Sequence, residues 1–188
     1  NGKAQAVICN SGNANTCNAD GEQKARRMCE IAGDALGISP DDVIVASTGV
    51  IGQVLPIEPI ENSAKDLAAA LSHDGSEAAA RAIMTTDTKI KNVAVSFEIG
   101  GRTVKLGGIA KGSGMIHPNM ATMLVFLTTD CAISAEMLQK ALRGDVAETF
   151  NMLSIDGDTS TNDMVVVLAN GQAGNAEIAA EGEDFAAF

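Results

Sequence analysis

The sequence contains no tryptophan and no tyrosine, and it has only five phenylalanines among 188 residues. Because ring side chains are so few, aliphatic side chains must fill the core, and hydrophobic residues supply 46% of the chain. Small aliphatic side chains let helices lie close to sheets, which favours a layered α/β domain. The length allows one sizeable core, so we predict a single domain over residues 1–188.

Positive charge is also scarce, with 13 lysine and arginine residues against 24 aspartate and glutamate residues. The formal net charge is −11 at pH 7. Proteins that bind nucleic acid or an anionic membrane surface need basic patches, so we expect no nucleic acid and no membrane as partners. No apolar run reaches the length of about 20 residues that a membrane span requires.

Metal-binding patterns are missing as well. None of the four cysteines forms a C-x-x-C pair, and we expect buried free thiols, which are typical of a reducing compartment. The acidic segment 156–163 has side-chain oxygens at alternating positions, as a calcium loop does. It lacks the glycine after the third ligand and the final glutamate. A hydrogen-bonded turn before a strand, or a wall of an active site, is preferred, and we predict no metal and no cofactor.

Apolar periodicity predicts strands and helices in alternation. We expect strands at residues 3–9, 43–47, 93–99, 104–106, 123–127 and 164–168. Residues 10–16 are predicted to form a loop, and Asp20 with Gln23 indicates a capping box before the first helix. That helix has one apolar face and should end at Gly37.

Glycines mark the expected breaks. Gly100 and Gly101 indicate a β-hairpin, residues 107–108 an interruption, and residues 48–52 a turn. Ser134 is predicted to cap a helix over residues 135–143, and a further helix is expected over residues 145–153.

A glycine-rich segment, residues 107–114, leads to Ala121, Thr122 and a buried strand. This order suits a chain that cuts itself before Thr122, because the strand would hold the threonine while bendable residues let the peptide bond strain. The hydroxyl would attack the Ala121 carbonyl, and water would hydrolyse the resulting ester. The freed α-amine, with a reference pKa of about 7.7–8.0, would then serve the hydroxyl as general base. An ordinary strand threonine after a structural loop is the alternative.

Five segments together resemble the ornithine acetyltransferase (glutamate N-acetyltransferase) family of arginine biosynthesis. They occur in that family's order across nearly the whole chain, at residues 11–15, 47–52, 84–88, 107–124 and 156–163. The resemblance implies a layered α-β-β-α sandwich and self-cleavage into residues 1–121 and 122–188. It also implies that the chain is a fragment, because the family extends beyond both ends and further substrate contacts lie past Phe188.

Roles follow from the resemblance position by position. Thr122 matches the nucleophile that carries the acetyl group, and Thr48 and Gly49 match the oxyanion hole. Thr85 and Lys111 match substrate contacts. From the residues alone, Thr48 and Gly49 would form a plain turn, Thr85 would end a helix, and Lys111 would be a solvated loop lysine.

The activity implied is transfer of the acetyl group from N-acetylornithine to glutamate through acetyl-Thr122, with acetyl-CoA as a further candidate donor. The implied assembly is a heteromer of the two cleavage products within a higher oligomer. A cytoplasmic location is inferred from the pathway and the thiols. Two alternatives stay open: an N-terminal nucleophile aminopeptidase or amidase, in which water accepts the acyl group, and an uncleaved fragment without catalytic activity.

Overall fold

The computed structural model describes residues 2–117 and 123–188, so Ala121 and Thr122 lie outside the described residues. Within these ranges the fold is mixed α/β with two β-sheets, which confirms the predicted class. The strands are β1 (Ala6–Asn13), β2 (Val43–Val50), β3 (Lys91–Ile99), β4 (Arg102–Lys111), β5 (Leu124–Thr129) and β6 (Met164–Ala169). The helices are α1 (Gly21–Leu36), α2 (Glu58–Ala69), α3 (Ser76–Ala82), α4 (Ala135–Glu148) and α5 (Glu183–Ala187). Short 3-10 helices cover Pro40–Asp42 and Phe150–Met152.

The first sheet is a parallel pair, β1 with β2, and α1 packs against it. Met28, Cys29 and Ala32 on the predicted apolar face of α1 are buried, and Cys29 and Ala32 form a core cluster with Val43. The helix ends where predicted, because Gly37 adopts a left-handed conformation with φ 70°. The crossover from β1 through α1 to β2 therefore places the carboxyl ends of both strands at one edge.

The predicted capping box is wrong. The Asp20 side chain caps no backbone N–H of α1, and one carboxylate oxygen lies 3.2 Å from the Lys24 ammonium instead. The ammonium of Lys24 also donates to the backbone oxygen of Leu55. An ion pair one turn along the helix has therefore replaced the cap.

Several strands are longer than the sequence predicted. Residues 10–13, expected in a loop, belong to β1, and Thr48 and Gly49, expected in a turn, belong to β2. β4 likewise continues through the glycines at 107 and 108 to Lys111. In each case the ladder of backbone hydrogen bonds continues with neighbouring strands, so polar or small side chains do not end the strand.

The second sheet has the strand order β3-β4-β5-β6, with antiparallel pairs except for the parallel pair of β5 and β6. The predicted hairpin is confirmed at Gly100 and Gly101, which have φ values of 54° and 73°. Ser134 caps α4 by accepting a hydrogen bond from the Met137 amide at 3.3 Å, as predicted. The expected second helix at 145–153 is instead the end of α4 followed by a 3-10 turn.

Among the described residues, no helix combines the length and apolar character that crossing a membrane would require. All four cysteines are free. Cys29 and Cys131 are buried as predicted, whereas Cys9 is half-buried and Cys17 is exposed, contrary to the expectation.

Candidate active site

Polar residues cluster where β1 and β2 end together. The parallel register places Ser11 of β1 beside Thr48 of β2. The Ser11 hydroxyl donates a 2.5 Å hydrogen bond to the backbone oxygen of Ile83, just after α3. Thr48 is only 1% exposed. Ser11 therefore links Thr48, its neighbour in the sheet and a predicted oxyanion residue, to the segment after α3 that carries Thr85.

Gly49 is fixed as glycine by the backbone. Its φ is 130°, and a Cβ at this position would lie 2.2 Å from the carbonyl carbon of Gly12 and 2.3 Å from its oxygen. Real Cβ atoms do not approach backbone atoms so closely. The close approach of β2 to β1 at this point therefore requires glycine at position 49, which is paired with Gly12.

Gly49→Ala should lower the free energy of unfolding by at least about 2 kcal/mol, because both the positive φ and the clash with β1 would need backbone movement. Gly144→Ala is the matched control. It lies inside α4, where an added Cβ would meet no described atom within 4 Å, so it should stabilise the chain by about 0.5–1 kcal/mol. Urea denaturation of both variants measures the difference. Equal stability of Gly49→Ala and the wild type would contradict this packing.

Lys111 is the last residue of β4 and is 3% exposed. Its ammonium donates a 3.0 Å hydrogen bond to the Thr85 hydroxyl. The prediction from the residues alone, that Lys111 is a solvated loop lysine, is therefore wrong. The structure brings together the two side chains predicted to contact substrate.

Burial controls the electrostatics around this lysine. Burial lowers the pKa of the Lys111 ammonium below its usual value, although the charge of Asp87 opposes that effect. Burial likewise raises the pKa of the neighbouring Cys9 thiol to about 12, against the attraction of Lys111. The thiol is therefore neutral near pH 7. The Lys111 ammonium therefore lies in a poorly hydrated position beside an uncharged thiol.

Asp87, which no sequence pattern indicated, connects the segments that carry the two predicted substrate contacts. One oxygen accepts from the Gly112 amide at 2.8 Å and from the Lys91 ammonium, and the other accepts from the Thr85 amide at 3.4 Å. Its carboxylate is fully buried. Burial by itself would raise the pKa of Asp87, but the hydrogen bonds from Lys91 and Gly112 outweigh it and lower that pKa below its usual value.

Asp87→Asn should lower the free energy of unfolding at pH 7 by about 1–3 kcal/mol, because a buried charged acceptor loses part of its hydrogen bonding. The folded pKa lies below the unfolded value of about 3.9. The stabilisation is therefore complete above that value and is lost as pH falls through the folded pKa. Denaturant titrations from pH 7 to pH 3 should show a flatter profile for Asp87→Asn. Asp66→Asn is the control, because Asp66 is exposed. If stability depended on pH in Asp87→Asn as it does in the wild type, the proposed stabilisation by the Asp87 carboxylate would be contradicted.

The acidic loop before β6 binds the chain on one side of the proposed cut. The carboxylate of Asp156 accepts from the Met115 amide at 2.6 Å and from the Ile116 amide at 2.9 Å. The Ile155 amide donates to the Ile116 oxygen at 2.8 Å. These hydrogen bonds with backbone amides lower the pKa of Asp156 below its usual value.

The same loop binds the chain on the other side of the proposed cut. One carboxylate oxygen of Asp163 accepts from the Met123 amide at 3.1 Å, and the Met164 amide donates to the Met123 oxygen at 3.0 Å. Asn162 contacts the segment that follows β1 by donating to the side-chain oxygen of Asn15 at 2.7 Å. The predicted hydrogen-bonded turn is confirmed, because the Asp158 amide donates to the Asp156 side chain at 3.3 Å.

The structure thus places Thr48 and Gly49 at the end of β2 and pairs Thr85 with Lys111. Their chemical roles stay predictions, as do those of Ala121 and Thr122. Within residues 2–117 and 123–188, no group of three His, Cys, Asp or Glu side chains is arranged to hold a metal ion. Asp87 contacts the amides of Thr85 and Gly112, whereas Asp156 and Asp163 accept from the amides of residues 115, 116 and 123.

Comparison with known proteins gives one consistent result. The model of the ArgJ family matches residues 1–188. The arginine biosynthesis bifunctional protein ArgJ of Symbiobacterium thermophilum is 55% identical over 188 residues, which are 100% of this chain and 47% of that protein. The protein of the same name from Thermosynechococcus vestitus is 50% identical over 182 residues, which are 96% of this chain and 43% of that protein. The chain spans less than half the length of these relatives.

Solved structures agree with the sequence comparison. The crystal structure of arginine biosynthesis bifunctional protein argJ from Bacillus halodurans matches with a TM-score of 0.54 and 39% identity, covering 63% of this chain and 61% of that chain. The crystal structure of ornithine acetyltransferase complexed with ornithine, from Mycobacterium tuberculosis, matches with a TM-score of 0.50 and 28% identity. It covers 63% of this chain and 62% of that chain.

Proposed function

The chain belongs to the ArgJ family, and from this premise we propose that it forms the catalytic part of a self-cleaving acetyltransferase of arginine biosynthesis. The reaction proposed is transfer of the acetyl group of N-acetylornithine to glutamate through acetyl-Thr122. The observation that best supports a substrate site is the buried Lys111 ammonium, held against the Thr85 hydroxyl at 3.0 Å.

The proposed nucleophile is made by cleavage of the Ala121–Thr122 bond. The Thr122 hydroxyl oxygen bonds to the Ala121 carbonyl carbon, the C–N bond breaks, and the nitrogen takes up the hydroxyl proton. Water then hydrolyses the ester, which frees the Ala121 carboxylate and the Thr122 hydroxyl. The single domain over residues 1–188 becomes two pieces, residues 1–121 and 122–188, that stay associated.

Thr48 and Gly49 are proposed to stabilise the oxyanion that forms when Thr122 attacks the acetyl carbonyl. Support comes from the rigidity of their position: Thr48 is 1% exposed, and Gly49 is fixed in its backbone conformation by contact with Gly12. Donors that are already oriented stabilise a developing charge without reorganising during the reaction.

Lys111 and Thr85 are proposed to bind substrate, with the ammonium facing a substrate carboxylate. Both N-acetylornithine and glutamate carry a carboxylate, so one cation can serve the donor and the acceptor in turn. The lowered pKa of Lys111 supports this role, because a poorly hydrated ammonium gains more from an anionic partner than a solvated one does.

The complete cycle returns Thr122 to its starting state. The α-amine of Thr122 accepts the hydroxyl proton while the oxygen attacks the acetyl carbonyl of N-acetylornithine, and it passes that proton to the ornithine nitrogen as the C–N bond breaks. Ornithine leaves, and the acetyl group stays on Thr122. The glutamate amine then attacks this ester, the C–O bond breaks, and a proton from that amine returns to the Thr122 oxygen. Acetyl-CoA is proposed as a second candidate donor of the acetyl group. We also propose that the protein is cytoplasmic and that the unit formed by the two pieces associates into a higher oligomer.

Mass spectrometry of the protein mixed with N-acetylornithine tests this function. We expect one acetyl group on the piece that begins at Thr122, and its loss as N-acetylglutamate when glutamate is added. Free acetate formed at the same rate with and without glutamate would indicate an amidase instead. Absence of any adduct at Thr122 would contradict the proposed transfer and favour the non-catalytic fragment.

A further inference from the structure

One loop binds the backbone on both sides of the proposed cut. Asp156 accepts from the amides of residues 115 and 116, and Asp163 accepts from the amide of Met123. The two carboxylates belong to one short connection that leads into β6. We propose that Asp156 and Asp163 are positioning residues for self-cleavage, which fix the chain before and after the Ala121–Thr122 bond; this inference rests on the proposed function.

Asp163 acts on the side that carries the nucleophile. Met123 is 6% exposed, so its amide needs an internal acceptor, and one oxygen of Asp163 supplies it at 3.1 Å. Asp163 also accepts a hydrogen bond from the Ser160 hydroxyl. This hydrogen bond fixes the direction of the Met123 amide, and Met123 follows the proposed nucleophile directly in the sequence.

Asp156 acts on the side that carries the carbonyl. Its two oxygens accept separately from two consecutive amides, those of Met115 and Ile116. Met115 has a φ of 58°, a conformation that few residues other than glycine adopt. The carboxylate thus stabilises a sharp bend at the start of the segment that leads to Ala121. The side chain of Ile116 packs with Met123 and Val125, which brings the two sides of the segment together.

Neither aspartate exchanges atoms with the scissile bond in this proposal. The bond changes are those between the Thr122 hydroxyl and the Ala121 carbonyl, with water as the second reactant. The aspartates act through backbone amides, and their effect is on geometry. A displacement of about 1 Å from a reactive arrangement can slow a reaction by about 100-fold.

The two carboxylates differ in a way that an asparagine scan can detect. Asparagine has one acceptor oxygen. Asp163→Asn can keep the hydrogen bond from Met123, because Asp163 uses one oxygen for that amide. Asp156→Asn cannot accept from both Met115 and Ile116 with separate oxygens, and its NH₂ group would face one of their N–H donors.

The test is pulse-chase translation of the 188-residue chain in a cell-free system, with the loss of uncut chain followed over time. We expect Asp163→Ala and Asp156→Asn to slow cleavage by about 100-fold, and Asp163→Asn to stay within about three-fold of the wild type. Asp158→Asn is the matched control, because Asp158 is exposed in the same loop, and it should cleave at the wild-type rate. Thermal unfolding of each chain with Thr122→Ala added checks that the variants fold.

Wild-type rates in Asp163→Ala and Asp156→Asn, with both chains folded, would overturn this inference and leave the proposed function intact. Equal slowing by Asp163→Asn and Asp163→Ala would also overturn it, because the retained acceptor oxygen would then have no effect. A wild-type chain that never cleaves would overturn the proposed function and this inference together.

Discussion

Thr122→Ala should abolish the cut between residues 121 and 122 and leave one chain near 19.2 kDa. Alanine has no hydroxyl, so no oxygen can attack the preceding carbonyl and no ester can form. The same change removes the acetyl acceptor, so transfer from N-acetylornithine should also be lost. Denaturing mass spectrometry of the purified variant measures both effects.

Thr122→Ser is the control for this experiment. Serine keeps a hydroxyl on the same carbon, so the chain should still cut itself, at a reduced or similar rate. Full cleavage of Thr122→Ala at this bond would contradict self-cleavage by Thr122. It would mean that another nucleophile or a contaminating protease cuts the chain.

Lys111→Ala should lower kcat/KM for formation of acetyl-Thr122 by about 100-fold or more, while the chain still cuts itself. Lys111 is 3% exposed, so water cannot easily replace its ammonium as the partner of a substrate carboxylate. Loss of one member of a buried charge pair typically costs about 2–5 kcal/mol of binding. The rate of adduct formation as a function of N-acetylornithine concentration measures the effect.

Lys105→Ala is the matched control, because Lys105 lies on the same strand with an exposed side chain, and it should keep the wild-type kcat/KM. An unchanged kcat/KM in Lys111→Ala would remove this residue from the substrate site. Equal losses of self-cleavage and transfer would instead indicate a structural role.

The buried charge of Lys111 should lower the free energy of unfolding, even though it favours substrate binding. Burial holds its folded pKa below the unfolded value, so stability rises as pH increases from the folded pKa to the unfolded one. At pH 7 the buried charge therefore destabilises the fold. Lys111→Met should unfold at a temperature equal to or above that of the wild type, as often occurs when a functional charge is removed. A clearly lower unfolding temperature would show that the charge is structurally required.

The sequence was sufficient for features that depend on local patterns. The apolar face of α1, its end at Gly37 and the hairpin at Gly100 and Gly101 follow from side-chain periodicity and glycine conformation. The serine cap of α4 is equally local. These features depend only on residues within a few positions of one another, so a short stretch of sequence contains all the information that they need.

The ends of the strands could not be predicted in the same way. Thr48 and Gly49 read as a turn because polar and glycine residues favour turns, yet both continue β2. They do so because β1 continues beside them with Gly12 facing Gly49, a contact across 37 positions of sequence. The pairing partner decided where the strand ends, and local composition did not.

The contacts within the candidate site could not be predicted from local sequence either. Lys111 and Thr85 were selected through resemblance, but their hydrogen bond depends on β4 meeting the segment after α3. No local pattern in the sequence distinguishes Asp87 from the other acidic residues of the chain. Its importance depends on burial and on the amides of Thr85 and Gly112, which only the tertiary fold supplies.

Denaturing intact-mass measurement of the wild-type chain, with and without N-acetylornithine, shows whether Thr122 is freed by cleavage and then acetylated. We expect two species that divide at Ala121–Thr122, with the lighter one gaining a single acetyl group when N-acetylornithine is present. A single unmodified species near 19.2 kDa under both conditions would contradict this expectation.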